Sequence, residues 1–264
     1  MRKLFIAAIF MLFAVLPAQA AVAHTHSDQG FCAAATSGGN IGSSCSGILT
    51  QTFTYTASAA NEAVLFAIGC QGTTQTTATL SASGWTITQL SAPTGSSGSW
   101  IASFGAIAPN TTQATFTMTW GSSCVAFMTD LVDEFSGNDI TGGTTTFDAH
   151  NADFNATTGS CTLSAHQVVP ANANDGLWGA CIDTVTAVGS TSHAFTKGAD
   201  DTQQDWSEWF ILSGGSGVGQ NIEFVGTSGQ WEEVGATIKP ANTAASRVSV
   251  GGKAIVGGKA IIGP

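Results

Sequence analysis

The chain has 264 residues, with 17 Asp and Glu against 7 Lys and Arg; 43% of its residues are hydrophobic and only 9% are charged. This apolar fraction excludes an intrinsically disordered chain, which combines low hydrophobicity with high net charge, and the length is sufficient for one large domain or two small ones. Abundant Thr, Ser and Gly, with few Lys, Glu and Leu, argue against a helical protein and favour an all-β fold.

The first 20 residues have the features of a secretory signal peptide. Met1–Lys3 is a short positive start, residues 4–16 are apolar, and Pro17–Ala20 supplies an A-x-A cleavage pattern. The apolar stretch is too short for a transmembrane helix. We therefore expect cleavage after Ala20, a secreted, extracellular or cell-surface protein, and no membrane insertion after cleavage. An uncleaved anchor is the alternative.

The charge of the mature chain is strongly negative and unevenly placed. Without Arg2 and Lys3 the chain keeps 17 acidic and 5 basic residues, a net charge of −12, and no Lys or Arg occurs between Lys3 and Lys197. Such a chain cannot neutralise a phosphate backbone, which argues against nucleic-acid binding. Binding to an anionic membrane surface is disfavoured for the same reason.

Six segments of the first half have strand patterns. Each is alternating or continuously apolar and is bounded by Gly, Ser, Asn or Pro clusters. They are Gly47–Thr56, Ala63–Ile68, Trp85–Leu90, Trp100–Ile107, Thr115–Trp120 and Val125–Phe135. Several strands at this spacing predict a sandwich or a barrel.

Parts of this pattern recur in the second half. Residues 60–66, 100–104, 116–121 and 132–135 are echoed by residues 173–178, 206–210, 221–226 and 234–238. We therefore predict a jelly-roll-type β-sandwich built from two internal repeats, repeat A (46–137) and repeat B (159–240). An N-terminal segment (21–45) precedes them and a linker (138–158) joins them. One shared core is favoured because the linker has no proline-rich spacer, and two independent sandwiches are the alternative.

Some of these residues resemble a known group of proteins. The Asn61-Glu62 turn before an apolar strand, Ser83-Gly84-Trp85-Thr86, and the segment Phe135–Asp139 are similar to those of secreted bacterial and phage-encoded duplicated β-sandwich proteins. Those proteins have jelly-roll, concanavalin-like folds. The resemblance covers residues 46–240 and implies the fold, while it transfers no activity and no catalytic residue.

The cysteines agree with export. The mature chain has six of them: Cys32, Cys45, Cys70, Cys124, Cys161 and Cys181. An even count in an exported protein predicts up to three disulfides, for which 15 connectivities exist. We favour Cys32–Cys45 and Cys161–Cys181, which close local loops, and Cys70–Cys124, which lies within repeat A. Six free thiols are the alternative.

The search for catalytic chemistry assigns no catalytic residue. The G-x-S-x-G pattern of α/β-hydrolases is absent. Strand alternation places Asp130 and Glu134 on one face and Asp133 on the other, which does not match the carboxylate spacing of jelly-roll glycosidases. His24 and His26 are interpreted as part of an N-terminal tail.

Oxygen-rich loops raise the question of a metal ion. Asp139, Asp148 and Asp153 lie in the linker between the repeats, and carboxylate-rich loops suit Ca²⁺. Turn chemistry explains these residues equally well. We therefore assign no metal site and no cofactor, and keep Ca²⁺ at these three residues as an open alternative.

Tryptophans in repeat B are the candidate ligand site. Trp206, Trp209 and Trp231 lie close in sequence to Asp205 and Glu208. A sugar ring stacks on an exposed aromatic ring while neighbouring polar groups bind its hydroxyls, so this combination predicts glycan binding. Packing of each Trp in the core is the alternative.

The C-terminal tail, residues 241–264, contains a short repeat. The sequence Val-Gly-Gly-Lys-Ala-Ile occurs at 250–255 and again at 256–261. Its even period gives both copies the same faces in an extended chain. The tail therefore has the pattern of a strand that adds to a sheet edge, its own or a neighbour's, and a floppy glycine-rich tail is the alternative.

These observations predict a secreted, non-catalytic β-sandwich. It binds glycans or contributes to an extracellular surface assembly. The alternatives are a polysaccharide-active hydrolase and a purely structural coat or filament subunit that polymerises through the tail.

Overall fold

The regular secondary structure is almost entirely β-strand, with 62% strand and 2% helix, and this confirms the predicted all-β class. The computed structural model describes residues 21–33, 37–39, 48–96, 98–156, 160–163, 165–182, 185–188, 194–200, 205–214, 216–226, 230–241, 248–250, 253–256 and 259–260. The predicted signal peptide lies outside the described residues.

The first part of the chain forms an eight-stranded antiparallel sheet. Its strands are β1 (Ala23–Ala33), β2 (Ser37–Gly39), β3 (Ile48–Tyr55), β4 (Ala63–Gly72), β5 (Ala78–Ala82), β6 (Ile87–Ser96), β7 (Ser99–Ile107) and β8 (Ala114–Ser136). The order is β2-β1-β8-β4-β7-β6, and β3 and β5 also pair with β8. The N-terminal half of β8 pairs with β3 and β5, and its C-terminal half pairs with β1 and β4.

Strand β8 joins two segments that the sequence pattern separates. The predicted strands Thr115–Trp120 and Val125–Phe135 are separated by residues 121–124, but the backbone stays extended there. The Gly121 N–H donates to the Thr77 carbonyl at 2.8 Å, and a Cβ at Gly121 would lie only 2.7 Å from the Thr77 hydroxyl oxygen. The glycine therefore permits a close approach between strands and does not form a turn.

The second part of the chain forms a five-stranded antiparallel sheet. A short 3₁₀ helix (Gly143–Thr146) precedes β9 (His150–Asn155), β10 (Gly176–Ile182), β11 (Val185–Val188), β12 (Thr196–Asp200), β13 (Trp206–Ile211), β14 (Phe224–Gly226) and β15 (Trp231–Ile238). The sheet order is β12-β13-β10-β15-β9, and β11 pairs separately with β14.

Three apolar cores hold these layers together, and β4 contributes to two of them. Val64, Phe66 and Ile68 face a first core shared with β3, β7 and β8. Ala63, Leu65 and Ala67 face a second core that lies between the two sheets and includes Trp178 and Val234. A strand buried on both faces reads as a continuous apolar run, which is the pattern predicted for this segment. A third core covers the other face of the second sheet.

Two segments outside the predicted repeats are also strands of this fold. Residues 23–33, in the predicted N-terminal segment, form β1 against β8. Residues 150–155, in the predicted linker, form β9, which pairs with β15 at the edge of the second sheet. Neither has a strongly alternating apolar pattern, so the strand signals used for the other segments do not detect them.

The proposed duplication stays a prediction. In the first sheet β4 lies between β7 and β8, and in the second sheet β10 lies between β13 and β15. These are the segments whose sequences echo each other.

Two of the three predicted cysteine pairs are close enough for disulfides. Cys70 and Cys124 have Cα atoms 5.5 Å apart, and Cys161 and Cys181 have Cα atoms 6.4 Å apart. The third predicted pair includes Cys45, which lies outside the described residues. Buried disulfides of this kind are typical of extracellular proteins.

The described part of the tail contains three short strands. They are β16 (Val248–Val250), β17 (Lys253–Val256) and β18 (Lys259–Ala260), in the order β16-β17-β18. Both pairings are antiparallel, with Val248 opposite Ile255 and Ile255 opposite Ala260.

Candidate functional site

Buried carboxyl groups are the main polar feature of the molecule. Among the described residues, ten Asp and Glu side chains are at most 6% exposed: Glu62, Asp130, Asp133, Glu134, Asp139, Asp175, Asp205, Glu208, Glu232 and Glu233. Carboxyl groups are almost never fully buried unless they are paired. Their partners therefore indicate what these side chains do.

Asp133 is the centre of an inter-sheet clasp, formed by Asp133, His24, Ser27 and Trp178. The Trp178 indole N–H donates to Asp133 Oδ2 at 2.7 Å across the space between the sheets. The Ser27 hydroxyl donates to Asp133 Oδ1 at 2.5 Å, and His24 Nε2 lies 3.0 Å from the same oxygen. The clasp therefore ties β1 and β8 of the first sheet to β10 of the second.

The Ser-His-Asp composition of this clasp does not have the geometry of a catalytic triad. A triad uses one imidazole nitrogen for the nucleophile and the other for the carboxylate. Here Ser27 and Asp133 both contact His24 Nε2, at 2.9 and 3.0 Å. The Ser27 hydroxyl proton is already donated to Asp133, so nothing prepares this oxygen for attack.

His24 also corrects the interpretation of residues 24–26 as a tail. Its ring stacks on Trp209 with centroids 4.8 Å apart and meets the Phe135 ring edge-on at 5.2 Å. These contacts hold β1 in the fold. Strand alternation alone would place His24 and Ser27 on opposite faces, but both reach the Asp133 carboxylate because a bulge interrupts the register after His24.

A second cluster, the acid pair, joins Glu62 and Glu134. The Ser58 hydroxyl contacts a carboxylate oxygen of each, at 2.7 Å for Glu62, and the Ser58 N–H donates to Glu134 Oε2 at 2.9 Å. The Tyr55 hydroxyl donates to Glu134, and the Thr25 hydroxyl donates to Glu62 at 3.1 Å. Burial, followed by the hydrogen bond to Glu134, raises the pKa of Glu62.

Glu134 has the opposite shift. Burial acts to raise the pKa of Glu134, but hydrogen bonds from Glu62, Ser58 and Tyr55 outweigh it and hold the pKa below its usual value. The two opposite pKa shifts favour a state in which one carboxyl group of the pair is charged and the other is not, because two adjacent charged carboxylates would repel each other. Burial, followed by the hydrogen bond to Glu134, raises the pKa of Tyr55.

A third cluster surrounds Glu233 on the outer face of the second sheet. Glu233 is in register with Asp153 on β9 and Cys181 on β10, and neither of its buried carboxyl oxygens has a hydrogen-bond partner. Burial raises the pKa of Glu233 well above its usual value, and the charges of Glu208, Asp153 and Glu223 add to this effect. Both effects favour the uncharged form of the Glu233 carboxyl group.

The three Ca²⁺ candidates each bind a different partner. Asp139 Oδ2 lies 2.8 Å from Lys239 Nζ, Asp148 accepts hydrogen bonds from Thr237 and Asn172, and Asp153 pairs with His166 at 3.0 Å. Among the described residues, no three His, Cys, Asp or Glu side chains are placed to hold a metal ion together. Local pairing therefore accounts for these carboxylates.

The five predicted glycan-binding residues do not form one exposed surface. Asp205, Glu208 and Trp231 are buried, which corrects the expectation that they face a ligand. Trp209 is half-buried and packs against the core between the sheets. Trp206 is half-buried as well, and Lys197 Nζ lies 3.5 Å from the centroid of its ring. Of the three tryptophan rings, only that of Trp206 is both partly exposed and outside the core between the two sheets.

A shallow groove of about 260 Å³ lies elsewhere, beside β6 and β7. Thr86, Thr88, Ile107, Ile140 and Phe147 are among the residues that line it. None of the ten buried carboxyl groups reaches it. The groove therefore offers apolar surface and hydroxyl groups but no paired acids.

No protein-family model, curated protein or solved structure matches this chain. The fold and the cysteine pairs define its class as an all-β sandwich with two cysteine pairs at disulfide distance. The described residues include no helix that is long and apolar enough to cross a membrane.

Proposed function

We propose that this protein is an extracellular, non-catalytic β-sandwich that contributes to a surface assembly by self-association through its C-terminal tail. The observation that carries the proposal is the three-stranded sheet of the tail. Its strands have three, four and two residues. These strands are shorter than the usual five or six residues, so we infer that the sheet needs a surface to cover it.

Charge favours the acidic body of this protein as that surface, and we assign this role to the body of a second copy. Residues 21–240 carry all 17 acidic residues and only Lys197 and Lys239 as bases, whereas the tail carries Arg247, Lys253 and Lys259 and no acid. The tail is therefore cationic and the body strongly anionic. Pairing of the tail with an open sheet edge of a neighbour would supply the affinity, and the lysines would steer the encounter.

The arrangement of the carboxyl groups supports a non-catalytic role. Retaining glycosidases hold two carboxyl groups about 5 Å apart, and inverting enzymes hold them further apart. The carboxyl groups of Glu62 and Glu134 instead both contact the hydroxyl group of Ser58. Asp133 is bound to three side chains of the clasp. Both groups act in holding strands together.

The self-association is tested by removing the tail. Sedimentation velocity of residues 21–264 is expected to show assemblies that grow with concentration, because a heterologous contact need not close. A chain ending at residue 246 is expected to stay a folded monomer. Lys253→Glu with Lys259→Glu should weaken assembly, and the matched Lys253→Arg with Lys259→Arg should preserve it. If the full and truncated chains are both monomeric and equally heat-stable, the proposal is wrong.

Glycan binding is the second candidate, and Trp206 is the observation that favours it. A half-buried indole at the end of the second sheet, with Lys197 over its ring, is suited to stack on a sugar. A glycan array on residues 21–264 is expected to give a signal that Trp206→Ala abolishes and that Phe154→Ala retains, since Phe154 is an exposed aromatic residue on β9 at the opposite edge of the sheet. Binding that is unchanged in Trp206→Ala would remove this site from consideration.

A further inference from the structure

We propose that the acid pair is a proton-dependent contact. It holds β1, β3 and the 56–62 turn against β8 in acid, and it weakens when the proton that the two carboxyl groups share is lost. Four separate parts of the chain meet at these two carboxyl groups. Tyr55 ends β3, Ser58 lies in the turn, Thr25 belongs to β1, and Glu134 belongs to β8.

The geometry of the turn makes the contact hard to replace. Asn61 has a φ of 68°, the left-handed region that non-glycine residues seldom adopt. Its N–H donates to the Ala108 carbonyl, and the Ala108 N–H donates to the Glu62 carbonyl, both at 2.8 Å. The backbone therefore fixes the main chain of Glu62, and hydrogen bonds from Ser58 and Thr25 hold its carboxyl group beside Glu134.

The groups that face the pair offer little compensation for a second negative charge. Tyr55 on β3 donates a neutral hydroxyl, and Asp28 on β1 and Asp133 on β8 add negative charge nearby. His26 is exposed and in register with Glu134 on β1. In the described residues, the ion pairs of Lys197 and Lys239 are with Asp200 and Asp139 and do not involve the acid pair.

The direction in which stability changes with pH follows from the pKa shifts of Glu62 and Glu134. The raised pKa of Glu62 gives a contribution to stability that is present in acid and is lost as the pH rises through that pKa. The lowered pKa of Glu134 gives a contribution that is lost as the pH falls through it. The pair therefore stabilises the fold most near the ordinary glutamate pKa of 4.5.

Other buried carboxyl groups with raised pKa values, like Glu62, make the fold less stable as the pH rises above 4.5. Burial raises the pKa of Asp175 to about 6, and Glu233 is shifted upwards as well. Asp139 is the exception, because Lys239 and Thr141 hold its pKa at about 2, and its contribution is lost only in strong acid. The pH dependence of the stability of the wild-type protein is therefore the sum of several carboxyl contributions. Substitution is needed to isolate the contribution of the acid pair.

The test is urea unfolding of residues 21–264 at pH 4.5 and at pH 8. Glu62→Gln keeps a donor for Glu134 but carries no titratable proton. We expect its folding equilibrium constant to fall less between the two pH values than that of wild type, by a factor of ten for each unit by which the fold raises the pKa of Glu62. The matched control Asp200→Asn, at the surface ion pair with Lys197, should keep the wild-type dependence.

A direct titration covers the case in which Glu62→Gln does not fold. Carboxyl ¹³C shifts of labelled wild-type protein should show Glu62 titrating above 4.5 and Glu134 below it. Two independent titrations near 4.5, or a Glu62→Gln variant with the full wild-type pH dependence, would overturn the proposal.

Discussion

Replacing Cys70 and Cys124 together by Ala is expected to lower the free energy of unfolding by about 4 kcal/mol, the chain-entropy value for a closed loop of this size. The two cysteines are separated by 54 residues and both are buried in the first core. Their disulfide joins the end of β4 to the middle of β8. Urea unfolding of the oxidised mature chain, with and without the two substitutions, measures this difference.

The second cysteine pair is the matched control for this result. Cys161 and Cys181 are separated by only 20 residues, so their replacement by Ala should cost about 3 kcal/mol. Titration of the denatured, unreduced protein should find none of these four thiols free. Four reactive thiols, or a Cys70→Ala/Cys124→Ala chain as stable as wild type, would contradict the disulfide assignment.

Asp133→Ala is expected to lower the free energy of unfolding by about 3 kcal/mol or more. Asp133 is fully buried, and its loss leaves the Trp178 indole N–H and the Ser27 hydroxyl without their acceptor. Each buried donor left unsatisfied costs about 1–3 kcal/mol. Asp133→Asn, which retains one carbonyl acceptor, should cost less.

A double-mutant cycle separates the clasp from simple loss of side-chain volume. Trp178→Phe removes the indole donor and keeps an aromatic ring in the core between the sheets. Because the two side chains are hydrogen-bonded at 2.7 Å, the combined variant should lose less stability than the sum of the single variants, by about 0.5–3 kcal/mol. Fully additive losses would show that the clasp does not couple the sheets.

The buried strands and the paired cysteines could be predicted from the sequence because their signals are local. The apolar run 63–68 belongs to a strand buried on both faces, and Cys70 and Cys124 are joined as predicted. The alternation that separates Asp133 from Asp130 and Glu134 also holds, since Asp133 contacts β10 and Glu134 contacts β3. A period of two residues is sufficient to assign a face.

The candidate site could not be predicted because it depends on partners far along the chain. Glu134 meets Tyr55 and Ser58 across separations of 79 and 76 residues, and Asp133 meets His24 across 109. Trp231 and Glu208 looked like surface groups because polar residues surround them in sequence, yet the second sheet is covered by a further layer of chain on that face. Only the tertiary fold reveals that covering layer.

The central claim, that tails join neighbouring copies, is tested most directly by isotope-mixed cross-linking. Equal amounts of ¹⁵N-labelled and unlabelled residues 21–264 are mixed and treated with a zero-length carboxyl–amine coupling reagent, and the peptides are analysed by mass spectrometry. If the tail of one copy pairs with the body of another, Lys253 or Lys259 will be cross-linked to acidic residues of the body. Some of these cross-links will join one labelled peptide to one unlabelled peptide. Cross-links from these lysines that are found only within single, uniformly labelled or unlabelled chains would contradict it.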